Sequence, residues 1–154
     1  MPKKLRVYSA LLFVYLFYMM TFVIRTSPAS LEPNMDKIFH YTGFGFSMMS
    51  ASFYYSYALL QLPVGIMIDR YGRKIVVLLS LLVTTAALLL QDVTGLGVVE
   101  DILRVILGIS CTSASIVMVK TIAANFADSV FSRLVAVGGW FSLSGSLLAE
   151  APIA

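Results

Sequence analysis

Long apolar stretches without in/out alternation, separated by short polar turns, set the pattern of this chain. Five of them meet or approach the ~20 residues that a helix needs to cross ~30 Å of hydrocarbon at ~1.5 Å per residue. They cover residues 7–26, 44–68, 74–91, 98–119 and 134–153. Strands of a membrane barrel would instead alternate apolar and polar positions over about ten residues. In hydrocarbon every backbone N–H and C=O must be paired within the structure, which leaves helices for runs of this kind. The pattern predicts an all-α integral membrane protein of about five spans. The third run is the shortest, and Tyr71 with the aliphatic stem of Lys74 can carry it to the interface.

Composition agrees with that reading. Of the 154 residues, 59% are hydrophobic and 12% charged, which leaves too little polar surface for a water-soluble fold. The lipid bilayer is the expected surrounding. Lys3, Lys4 and Arg6 precede the first run, Arg70, Arg73 and Lys74 lie between the second and third, and Lys120 and Arg133 between the fourth and fifth. Cations collect in short cytoplasmic loops, so these segments and the N-terminus are expected in the cytosol. Glu32, Asp36 and Lys37 fall on the opposite side, as do Asp92, Glu100 and Asp101. A multi-pass protein of the plasma membrane, in bacteria the inner membrane, is the expected localisation. The net charge of +3 is scattered over helix ends rather than gathered on one face, which argues against a nucleic-acid partner. The first run exceeds a signal-peptide core of ~7–15 residues, and Arg25 and Pro28 stand where a small-residue cleavage site would be; a retained helix is expected. Cys111, the single cysteine, sits in an apolar run and reads as a packing residue.

The second and third runs meet at Gly65-Ile66-Met67-Ile68-Asp69-Arg70-Tyr71-Gly72-Arg73-Lys74. Asp69 and Arg73, four apart at a helix end, are close enough to pair and to bond open amides or carbonyls at neighbouring helix termini. Gly65 would let another helix approach, and Gly72 permits a sharp reversal. This G-x-x-x-D-R-x-G-R-K pattern resembles the signature loop between transmembrane helices 2 and 3 of the major facilitator superfamily, secondary transporters of twelve helices. Tyr55 through Gly65 matches a Tyr-x-Tyr-x-Leu-x-Gln-x-Pro-x-Gly pattern of one subgroup, and Phe22 through Pro28 is similar to the end of helix 1 in organic-anion and organophosphate transporting members. Arg104 with Gly108 looks like the family's second motif, often linked to proton coupling, and Lys120 through Ala124 resembles the end of helix 4 in a bacterial subgroup. The resemblance implies a conformational latch at Gly65, Asp69, Arg70, Gly72, Arg73 and Lys74, and transport by rocking of two halves about a midplane site. It spans about the first five helices, so the chain is expected to be the N-terminal part of a transporter, with helices 6–12 on a separate chain.

Arg25 is the sharpest site candidate, because a guanidinium near the end of an apolar helix is costly unless it meets water, a partner or a ligand. Its fork suits carboxylate or phosphate oxygens, which implies a small anionic solute: an organic acid, a phosphate ester or a small peptide, with a proton as a candidate coupling ion. The alternative is an Arg snorkelling to the headgroups. Tyr15, Tyr18, Tyr57 and Gln61 could line a polar cavity with Arg25 or bond to neighbouring helices, since a buried phenol needs a partner. Glu100 and Asp101 precede Arg104 by four and three residues, so an ion pair is within reach, structural or coupling in role. Lys120 reads as an interfacial anchor ahead of a substrate contact. Gly138, Ser142 and Ser146, with Gly139 and Gly145, form a small-residue face for helix packing; Gly108 belongs to the same class. Glu150 places a carboxylate near the outer end of the last run, and His40 falls in an outer loop. No catalytic constellation, metal-ligand spacing or cofactor cradle is present, so neither enzyme activity nor a cofactor is expected. A competing reading is a non-transporting remnant, or an accessory protein docked to another chain through the glycine face.

Overall fold

A computed structural model describes residues 3–39, 43–94 and 97–150. His40 and residues 151–153 of the last run lie outside the described residues, as do the side chains of Lys3, Lys4, Glu32, Asp36, Lys37 and Asp92. Six helices follow one another: α1 Lys3–Phe39, α2 Gly43–Leu59, α3 Gln61–Tyr71, α4 Arg73–Thr94, α5 Gly97–Asn125 and α6 Asp128–Glu150. Four are long and apolar enough to cross a membrane, over Leu5–Pro28, Arg73–Gln91, Val98–Asn125 and Asp128–Glu150. The bent pair α2 and α3 makes a fifth span if taken as one. The protein is an all-α membrane protein.

The second apolar run is not one straight rod. It breaks at Leu60 and turns by 47° between α2 and α3. Pro63 is the cause: it offers no N–H to the Leu59 carbonyl, and its ring crowds that oxygen. Across the break the ladder is carried by the Leu60 N–H to the Ser56 carbonyl at 3.2 Å and the Val64 N–H to the Leu60 carbonyl at 2.9 Å. The Thr112 hydroxyl, from α5, reaches the Tyr57 carbonyl at 3.3 Å. Polar groups loosened by a proline in lipid are met by neighbouring side chains, as here.

The first helix continues beyond its apolar run, through Pro28 and Pro33 to Phe39. Hydroxyls secure the turn before Pro28, with Thr26 Oγ1 donating to the Phe22 carbonyl at 2.8 Å and Ser27 Oγ to the Ile24 carbonyl at 3.1 Å.

α5 is the central helix and packs against each of the other five. Over most of its length its inward positions are small or apolar, with Leu107, Cys111, Ala114 and Ile122 essentially inaccessible, while Glu100 and Arg104 are buried near its start. Two apolar clusters surround it. One, with Ile68, Val76, Val117 and Ile122, lies toward the α3–α4 turn; the other, with Ile24, Phe53, Ala87 and Leu107, lies toward the opposite end. Close approach depends on glycine. A Cβ on Gly108 would collide with Ser56 Oγ and lie 2.5 Å from the Phe53 carbonyl oxygen of α2. On α6, a Cβ on Gly145 would lie 2.5 Å from the Met19 carbonyl oxygen, and one on Gly138 would strike Met118 Sδ. The small-residue face formed by Gly138, Ser142 and Gly145 is thus buried, chiefly by α1. Large apolar side chains such as Leu62, Leu82, Trp140 and Leu147 point outward, which lipid tails accept at no cost relative to burial.

Candidate functional site

Arg25 rises from α1 into an aromatic setting. Its guanidinium carbon lies 4.5 Å from the centre of the Tyr54 ring on α2 and 5.3 Å from that of Phe22, one turn back on α1. Both distances are within cation–π range. The rings continue on either side: Phe22 meets Tyr18 edge-on at 5.0 Å, Tyr54 meets Phe53 at 5.8 Å, and Phe53 stacks on Tyr57 at 6.3 Å. The Tyr57 hydroxyl shares a 2.9 Å hydrogen bond with Ser115 Oγ of α5. Among the described residues no carboxylate pairs with Arg25, so its charge is held by ring faces while its N–H fork keeps its hydrogen-bonding capacity. A cation presented in that way can take an oxyanion bidentately.

Of the sequence candidates, Tyr18 and Tyr57 belong to the series of rings that flanks Arg25, whereas Tyr15 and Gln61 do not. Tyr15 turns to α6, where its hydroxyl donates to the Leu134 carbonyl at 2.7 Å and its ring stacks on Phe141 at 5.2 Å. Gln61 opens α3 on an exposed face. Phe22, three residues before Arg25, shares its helix face and is recoverable from spacing. Ser115 and the contact with Tyr54 depend on how α1, α2 and α5 are rotated, and no sequence signal fixes that.

A second polar cluster is buried where α1, α4 and α5 meet. Arg104 Nε donates to Glu100 Oε1 at 3.2 Å, both side chains being 2–3% exposed. The Gln91 amide on α4 donates to the same carboxylate oxygen. From its other arm, Arg104 Nη1 donates to the Ile24 carbonyl of α1 at 3.2 Å. That carbonyl lies four residues before Pro28, which has no N–H to offer it. Sequence reasoning placed Glu100 beside Arg104 but missed Gln91, at the margin of its run, and missed Ile24; the proline was the available signal. Asp101 is half-buried next to the pair. A little deeper, Thr84 Oγ1 of α4 donates to Ser110 Oγ of α5 at 2.8 Å.

The third cluster is the turn between α3 and α4. Gly72 closes α3 at φ +87°, a left-handed value suited to glycine, with its N–H on the Ile68 carbonyl at 3.0 Å. Asp69 and Arg73 do not bond to each other; both meet Lys120 near the end of α5. Lys120 Nζ donates to Asp69 Oδ1 at 2.5 Å and to the Gly65 carbonyl at 3.1 Å, while Arg73 Nη1 donates to the Lys120 carbonyl at 3.0 Å. Arg70 lies over the Tyr71 ring at 5.6 Å and Lys74 is exposed. A Cβ at Gly65 would meet nothing within 4 Å. Among the described residues, no three His, Cys, Asp or Glu side chains are grouped to hold a metal ion.

Compared with known proteins, the chain matches the family profile described as Major Facilitator Superfamily over residues 11–154. No curated protein matches it, and no solved structure does.

Proposed function

The chain belongs to the major facilitator superfamily, a family of membrane transporters, and from that premise we propose that it contributes one wall of a pathway for a small anionic solute. Arg25 is the solute-binding cation. The observation that carries this reading is its placement on the faces of Tyr54 and Phe22 with no described carboxylate beside it. A guanidinium that served only to reach the headgroups would have no need of two ring platforms on two helices. Tyr18, against Phe22, and Tyr57, against Phe53, carry phenolic hydroxyls on the rings next to that platform, groups of a kind suited to the remaining oxygens of a carboxylate, a phosphate ester or a peptide terminus.

In this reading the Asp69–Lys120–Arg73 cluster is the inner latch whose making and breaking accompanies alternating access, and Glu100 with Arg104 supports the outer half of the pathway. The other half of a transporter of this family would supply the opposite wall. The membrane is the bacterial inner membrane, with the N-terminus cytoplasmic, which puts Arg6, Arg70, Arg73, Lys74, Lys120 and Arg133 on one side. No observation favours an accessory role through the glycine face, because Gly138 and Gly145 are packed within the chain.

The test is binding of labelled glycerol 3-phosphate and of a dicarboxylate to the protein in nanodiscs. Arg25→Lys keeps the charge but loses the planar fork, and should weaken binding about tenfold, roughly 1.4 kcal/mol. Unchanged affinity in Arg25→Lys and Arg25→Gln, or no anion bound by the unaltered protein, defeats the assignment.

A further inference from the structure

Between α1, α4 and α5, at the end of the bundle that carries the α3–α4 turn, lies an open cavity of about 710 Å³. Arg6, Arg73 and Lys74 line it, and among the described residues no carboxylate does. Arg73 has one arm committed to the Lys120 carbonyl, whereas Arg6 and Lys74 are exposed. Three cations around one cleft repel one another, and an anion between them relieves that repulsion. Further into the spans the lining changes character. Phe13 and Val14 lie about two turns beyond Arg6 on α1, Val77 and Leu78 about one turn beyond Lys74 on α4, and Val117 faces them from α5. The cavity is therefore cationic at the membrane surface and apolar at acyl depth. A water-soluble anion would leave its apolar half unfilled, and a hydrocarbon tail would leave its charges unmet.

We propose that this cavity is a binding site for an anionic phospholipid, with the phosphate on Arg6, Lys74 and the outer arm of Arg73, and the first acyl methylenes against Val14 and Val117. The site is separate from the Arg25 cluster and does not depend on what the protein carries. Basic pockets between transmembrane helices at the headgroup level are suited to anionic lipid heads.

The experiment is native mass spectrometry of the purified chain in a zwitterionic detergent, with phosphatidylglycerol and phosphatidylcholine of identical acyl chains added in equal amounts. Phosphatidylglycerol adducts should exceed phosphatidylcholine adducts about tenfold, and equimolar glycerol 3-phosphate should not displace them. The double variant R6Q/K74Q should lose most of that preference. Ala10→Trp, which fills the cleft without touching a charge, should lower lipid retention as strongly. Equal retention of the two lipids, displacement by glycerol 3-phosphate, or full retention in a folded Ala10→Trp protein overturns the proposal. The comparison of the two lipids on the unaltered chain decides the matter even where a variant does not fold.

Discussion

Arg104 supplies from α5 the hydrogen bond that Pro28 denies to α1: its Nη1 stands 3.2 Å from the Ile24 carbonyl oxygen, eighty positions away in the sequence. The same guanidinium neutralises Glu100, which is held in turn by Gln91. One side chain therefore stabilises a proline-containing span and a buried carboxylate together.

Replacing Arg104 by Gln removes the guanidinium from these contacts and leaves Glu100 buried without its cation. Removing one partner of a buried pair costs about 3–5 kcal/mol, so thermal unfolding in detergent should show a large loss of stability for Arg104→Gln. Glu100→Gln should cost distinctly less, because Arg104 keeps its carbonyl acceptor. A double-mutant cycle measures the coupling, and additive single effects would show that the pair does not act as a unit.

The three glycines of α6 should tolerate alanine very unequally. Gly145→Ala brings a methyl to 2.5 Å from a backbone oxygen of Met19, which cannot yield without moving α1. Gly138→Ala meets the flexible end of Met118, which can swing aside. Gly139→Ala meets nothing within 4 Å and gains helix propensity of up to ~1 kcal/mol. Melting temperatures should rank Gly139→Ala above Gly138→Ala above Gly145→Ala; any other order contradicts the packing of α6 on α1.

At the α3–α4 turn, Asp69 is 72% exposed and Lys120 32%. An ion pair this open contributes at most about 1 kcal/mol, so Asp69→Asn should scarcely change the melting temperature. Lys120→Met should cost more, since it also abandons the Gly65 carbonyl. Reactivity of Lys120 toward an amine reagent should rise in Asp69→Asn, and an unchanged rate would mean that the pair does not shield it.

Pro63→Ala should restore the N–H that the Leu59 carbonyl lacks and straighten α2 and α3. Spin labels at Phe44 and Tyr71 should move apart relative to the 47° bend, as read by electron-electron distance measurements. An identical distance would assign the bend to packing on α5 rather than to the proline.

The membrane fold was readable from sequence because bilayer thickness, an external length, dictates how long an apolar helix must be. Its interruptions were harder to read. Pro63 lies beside a break while Pro28 sits within a continuous helix; Thr112 serves a carbonyl near the first, Thr26, Ser27 and Arg104 serve carbonyls near the second, and the reach of Thr112 and Arg104 from another helix is not written in local spacing. Side-chain grouping followed the same division. Contacts within one helix, such as Arg25 with Phe22 or Arg104 with Glu100, follow from separations of three and four. Contacts between helices, such as Arg25 with Tyr54 or Lys120 with Asp69, depend on rotations that only the packed bundle sets. Tyr15 and Tyr18 show this most clearly: three residues apart on α1, one bonds to α6 and the other meets Phe22 of its own helix.

The hydroxyls of α5 bear on how the chain is assembled. Ser110, Thr112, Ser113 and Ser115 each donate to a carbonyl three or four positions earlier on their own helix, and Glu100 and Arg104 neutralise each other on that same helix. Most of the polar groups on this span thus have partners on the span itself, so the helix can sit in lipid without a neighbour to satisfy them. A glycosylation-mapping reporter bearing residues 97–125 alone should register it as inserted, which makes α5 a pillar that needs none of the helices packed on it to hold its place in the bilayer.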